Sequence, residues 1–154
     1  MSPRYGRGYK GERVKSSAPY QRGNKITMIG AISIYQVEAS MYGSWSADGE
    51  IFVEFVERSL KPILKPNHVV VMDNVSFHKN QQARTLIESK GAQILYLPPY
   101  HPELNPIEEM WSKIKIYLRR LSARTLKDFK RAIKTAFEAV TTSDLEGWFK
   151  HSGY

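Results

Sequence analysis

The run His68-Val69-Val70-Val71-Met72 shows no alternation of polar and apolar residues, and it ends on Asp73. A strand written this way is expected to have both faces covered, since a half-exposed strand places a polar side chain at every second position. Lys79 to Lys90 then carries a helical pattern closed by Gly91, and Ala92 to Leu97 forms a second apolar run. Strand, helix and strand at this length imply a parallel pair joined by a right-handed crossover. The chain is thereby placed in the α/β class.

The rest of the pattern fits around that unit. Lys25 to Ile34 and Val37 to Ser44 read as two strands turning near Tyr35-Gln36, hence a hairpin. Ser46 is predicted to cap a helix whose apolar positions Ile51, Phe52, Phe55, Val56 and Leu60 follow the 3.6-residue period, with Pro62 and Pro66 ending it. Further helices are predicted over Asn105 to Leu121, Thr125 to Val140 and Ser143 to Phe149. Residues 1–24 lack hydrophobic periodicity and are rich in Gly, Ser, Pro and Arg, so they read as a basic arm ahead of one domain over 25–154. At 154 residues and 42% hydrophobic, the chain is long enough for one packed core and too short to argue for two.

The formal net charge of +8 is unevenly placed. Residues 1–25 carry seven Lys or Arg against Glu12, and residues 113–134 carry nine against Asp128. Between them, residues 47–112 hold six basic and nine acidic groups. An acidic centre flanked by basic segments suits a site that holds cations and receives a phosphate backbone, with Arg4, Arg7, Lys10, Arg13, Lys15, Lys115, Arg119 and Arg120 as candidate contacts. The absence of cysteine excludes disulfides and thiolate metal sites, and the four histidines show no zinc spacing. With no apolar run of 18 residues and no leader pattern, a soluble cytoplasmic protein is expected, associated with the nucleoid in a bacterial host.

Two carboxylates stand out. Asp73 closes an apolar strand, where ligand sites of open α/β sheets gather, although Asp-Asn after a strand also makes a turn. Glu108, separated from it by 34 intervening residues, opens the helix Asn105-Pro106-Ile107-Glu108 and is either a ligand or the far end of a capping box to the Asn105 amide. By helical phase it stacks beside Trp111 at the edge of the apolar face and is expected to turn toward the sheet. Glu109 lines up with Lys113 as an exposed i, i+4 pair. Hard oxygen ligands of this kind suit Mg²⁺ or Mn²⁺. Pro98, Pro99, Pro102 and Pro106 stiffen the link to Glu108; Tyr100 and His101 within it either touch nucleotide bases or pack.

At these residues the chain resembles the catalytic domain of mariner-like and insertion-sequence transposases, the DDE superfamily endonucleases with a ribonuclease-H-like fold. The resemblance lies in Asp73-Asn74 after a short strand with His78 following, and in Asn105-Pro106-Ile107-Glu108 with Trp111. It extends to the tail Gly147-Trp148-Phe149 to Gly153-Tyr154. It implies a mixed sheet flanked by helices, Asp73 and Glu108 as catalytic metal ligands, Asn74 and His78 in support, and two divalent ions in the complete site. DNA is the implied substrate, with phosphodiester hydrolysis and strand transfer as the chemistry. The family uses three carboxylates. The first lies on an opening central strand upstream of a basic segment like Arg4 to Arg13, so this Asp and its strand are expected to be missing here, Asp48 being a poor substitute in a Gly-containing turn. A homo-oligomer, or assembly with an N-terminal transposase fragment, would follow. The alternatives are a non-catalytic nucleic-acid-binding remnant or inhibitor and a structure-specific nuclease.

Overall fold

The computed structural model describes residues 26–121 and 126–154. Strands β1 (Thr27–Ile32) and β2 (Val37–Gly43) form an antiparallel hairpin. Helix α1 (Gly49–Phe55) runs on into a wide turn over Val56–Leu60, in which the Lys61 amide reaches the Val56 carbonyl at 2.7 Å. β3 (Val69–Met72), α2 (Gln81–Glu88) and β4 (Gln93–Tyr96) make the expected parallel unit, with Val69 opposite Gln93 and Met72 opposite Tyr96. Helices α3 (Pro106–Leu121), α4 (Leu126–Glu138) and α5 (Thr142–His151) complete the order.

The caps show why several elements begin and end where they do. Asp48, not Ser46, caps α1: its Oδ1 accepts the Ile51 amide at 3.0 Å. A carboxylate there also answers the positive end of the helix, which a hydroxyl two residues earlier cannot do. Asn80 caps α2 by accepting the Gln82 and Ala83 amides. Gly91 ends that segment in the left-handed region at φ 72°, where a side chain would also press on Pro66. Thr141 and Asp144 form a reciprocal capping box at the start of α5.

The packing is divided by the hairpin. One cluster holds Phe52, Phe55, Val56, Met72, Ala83 and Ile87, with Ile29, Ala31, Ala39 and Met41 laid against it. The other holds Met110, Ile114 and Ala136, with Met28, Ile32 and Val37 against it. Alternation along β1 therefore sends successive side chains to opposite cores. Val37 joins the second core, unlike Ala39 and Met41, because the register slips between Ala31 and Ile32 and turns the start of β2 over. Gly30 sits where Trp111 approaches, and a Cβ there would lie 3.1 Å from the ring.

The parallel pair departs from expectation on one face. Val70, Met72, Ile94 and Tyr96 face the first core, but Val69 and Leu95 are 54% and 51% exposed. α1 and α2 cover one side, while α3 to α5 are engaged with the other face of the hairpin. Among the described residues, β1 pairs only with β2 and β3 only with β4, so the strands form two separate two-stranded sheets. No described helix is long and apolar enough to cross a membrane.

Candidate active site

Asp73 leaves the carboxyl end of β3 just where pairing continues, the Leu97 amide donating to the Met72 carbonyl at 2.8 Å. The chain then folds through a 3₁₀ turn, Ser76–Lys79, that brings His78 back over Asp73. His78 Nδ1 is 2.6 Å from Asp73 Oδ1 and 3.3 Å from the Asp73 carbonyl oxygen. The second contact has hydrogen-bond geometry; the first does not, so Oδ1 is enclosed without a directed partner. The His78 ring is itself held, with Phe52 at 4.6 Å and Phe77 at 4.5 Å between centroids, while the Tyr96 hydroxyl donates to its carbonyl. The Asp73 side chain is nonetheless 44% exposed, so it presents its other edge to solvent. Asn74 beside it is half-buried.

Glu108 stands in the first turn of α3. Its amide bonds to the Asn105 carbonyl, but its carboxylate does not return to the Asn105 amide, which is taken by the Pro102 carbonyl at 3.0 Å. A weak cap from Asn105 Oδ1 to the Ile107 amide, at 3.4 Å, completes the turn. The capping-box alternative is thus not formed, and the carboxylate is left for another use. Glu108 and Glu109 are both exposed and both line an open cleft of about 280 Å³ with Pro102, Glu103, Asn105 and Ser112. The expected inward turn of Glu108 is not seen. Nor does Glu109 pair with Lys113, whose ammonium is taken by Asp144 on α5, a carboxylate already fixed by its capping box.

Glu103 is a further member of this cleft, one that was not among the candidate residues of the Pro-rich link. Its Oε1 accepts from His101 Nδ1 at 2.8 Å, and that bond, with one from its own backbone, holds the carboxyl below its ordinary range. An acidic residue two positions from a histidine was the available signal. Asp73 does not line the cleft, and among the described residues no three His, Cys, Asp or Glu side chains converge to hold a metal.

Of the candidate phosphate contacts, Lys115, Arg119 and Arg120 are exposed along α3. Arg120 borders a second groove, between α3 and α5, with Ile116, Tyr117 and Trp148. Arg4, Arg7, Lys10, Arg13 and Lys15 lie outside the described residues.

A strand-end Asp with a clasping His, and a Glu opening a later helix, are here set on a mixed α/β scaffold. The family model described as DDE superfamily endonuclease matches residues 1–131. The chain belongs to that family. Membership supports a transposase-type catalytic domain with DNA as the substrate class, and the parallel unit and hairpin are compatible with its ribonuclease-H-like architecture. A comparison with curated proteins gave no match.

Proposed function

We propose that the chain is the catalytic domain, or a part of it, of a cut-and-paste DNA transposase that hydrolyses phosphodiesters and joins 3′-hydroxyl ends to target DNA. The observation that carries the reading is the Asp73 carboxylate at the end of β3, with Oδ1 against His78 Nδ1 at 2.6 Å and the side chain 44% exposed. A strand-end carboxylate with one edge open to solvent is suited to take up a hard cation on that edge.

The donor set fits Mg²⁺ or Mn²⁺. Such ions are held by one or two carboxylates and complete their shells with water and substrate phosphate, so Asp73 and Glu108 would be the protein ligands of a first ion once brought together; among the described residues they do not share a cleft. When bound, the ions activate the attacking oxygen and neutralise charge on the leaving oxygen of an in-line displacement. The remaining work belongs to the chain. His78 would fix Asp73, with Asn74 beside it, Glu108 would be presented from the first turn of α3, and exposed cations on α3 would draw in the DNA backbone. A second ion calls for a third carboxylate. We assign it, with a strand that bridges β1 and β3, to polypeptide other than the described residues, in a homo-oligomer or an assembly with an N-terminal transposase fragment. The unpaired sides of β1 and β3 support this, because two-stranded sheets with open edges seek another strand.

The absence of a converging triad among the described residues favours a second reading, a DNA-binding remnant without catalysis. One experiment separates the two. Supercoiled DNA with Mn²⁺ is expected to be nicked by the full chain together with a strand-donating N-terminal fragment, and not when the chain carries Asp73→Asn. DNA binding with no nicking even with that fragment would favour the remnant.

A further inference from the structure

Tyr100 is 98% exposed and holds its backbone at φ 64°, a left-handed conformation that a bulky side chain rarely adopts. The link that carries it is firmly seated at both ends. On one side Leu97 is tied to Met72 and two prolines follow; on the other the Leu104 amide bonds to His101 and the Asn105 amide to Pro102. The far stem is also clasped from α5. Gly153, at φ 91°, lets the chain reverse, the Tyr154 amide returns to the Phe149 carbonyl at 3.0 Å, and the Tyr154 hydroxyl donates to the Leu104 carbonyl at 3.1 Å. A wholly exposed ring on a braced loop, in unfavourable backbone, is not serving the core formed by the described residues. Strain of that kind persists where a site uses it.

We propose that Tyr100 is a stacking platform for an unpaired base of the DNA end beside the Glu108 cleft. The inference rests on the nuclease reading given above. Charge decides which part of DNA the loop meets. From Leu97 to Ser112 there is no Lys or Arg, while Glu103, Glu108 and Glu109 are all present, so this segment repels phosphate wherever cations do not intervene. A neutral aromatic face avoids that repulsion, because every base offers a π-face and stacking needs no charge. Pro102 and Glu103, next along the loop, line the same cleft as Glu108, which puts the ring next to the candidate chemistry in the chain. The backbone that carries the ring is already ordered, so only the side chain is left to settle on contact.

The test uses the full chain and a duplex with a two-nucleotide 3′ overhang containing 2-aminopurine, compared with the same duplex carrying abasic overhang positions. The wild-type protein is expected to bind the base-bearing overhang on the order of tenfold more tightly and to quench 2-aminopurine by stacking. Tyr100→Ala should lose both effects, and Tyr100→Phe should keep them. A wild-type protein with no base preference, or a Tyr100→Ala variant that retains it, overturns the proposal. So does a variant that changes only the sedimentation mass, which would mark the ring as a contact between proteins. Mn²⁺-dependent nicking of the same duplex, with the N-terminal fragment added, judges the nuclease reading separately: nicking without base preference defeats only the stacking role, and base preference without nicking defeats only the nuclease.

Discussion

His78 Nδ1 sits 2.6 Å from Asp73 Oδ1 while its hydrogen-bonding geometry is satisfied by the Asp73 main-chain oxygen. The imidazole therefore grips the residue by its backbone and abuts its carboxylate. Replacing it by Phe keeps a ring between Phe52 and Phe77 but removes the polar grip. His78→Phe is expected to weaken Mn²⁺ binding in calorimetry while staying within about 1 kcal/mol of wild-type stability, whereas His78→Ala should lose about 1–3 kcal/mol as well. Unchanged metal affinity in the Phe variant would reduce His78 to packing.

Glu108 and Glu109 share one cleft and similar exposure, so only a functional comparison tells them apart. Glu108→Ala is expected to weaken Mn²⁺ binding on the order of tenfold, with Glu109→Ala close to wild type, given a ligand carboxylate of ordinary weight. The reverse order would move the ligand one residue along the helix.

Asp144 carries a pH signature. Its partial burial pushes the carboxyl up, but the Lys113 ion pair and the bonds from the Thr141 amide and hydroxyl outweigh this and lower it from the ordinary 3.8. A lowered carboxyl contributes stability that is full above the unfolded value and is lost as the pH falls through the folded one. Asp144→Asn should cost about 1 kcal/mol near neutrality. Urea titrations should show that difference shrinking as the pH drops below 3.8. A difference independent of pH would assign it to packing.

Gly30 is the close approach between the hairpin and α3. A methyl group there would meet the Trp111 ring at 3.1 Å and the Ala39 carbonyl at 3.3 Å, the latter unable to swing away. Gly30→Ala is expected to cost about 1–3 kcal/mol and to alter tryptophan emission. Native emission with an unchanged midpoint would show that Trp111 is free to rearrange.

Lys115 and Arg120 are exposed on α3. If both touch phosphate, replacing them together by Ala should lower the slope of log affinity against log salt by about 1.8. An unchanged slope would leave DNA contact to other segments.

The parallel unit, the hairpin and three late helices were legible because each carries its period in neighbouring residues, and Gly91 and the prolines mark their ends. What escaped the sequence depends on partners far along the chain. Nothing near Lys113 announces Asp144, and nothing near Val69 says that its outer face stays open. The expected cap of α1, Ser46, gives way to Asp48, a choice made by the geometry of one turn. At the site, Asp73 and Glu108 were legible as types at element ends. The grip of His78 on Asp73 became visible only with the 3₁₀ turn that folds it back.

The hairpin contributes side chains to both clusters, and each of the two carboxylates is next to or near a residue of a different one. Asp73 follows Met72, which is rooted in one cluster, and Glu108 precedes Met110, which is rooted in the other. Each proposed ligand is thus anchored in its own block of side chains, with β1 as the shared wall. Bringing the two carboxylates onto one cation would therefore require the two blocks to move relative to each other, so a substitution deep in either block is expected to be felt at its own carboxylate before it is felt in the fold as a whole.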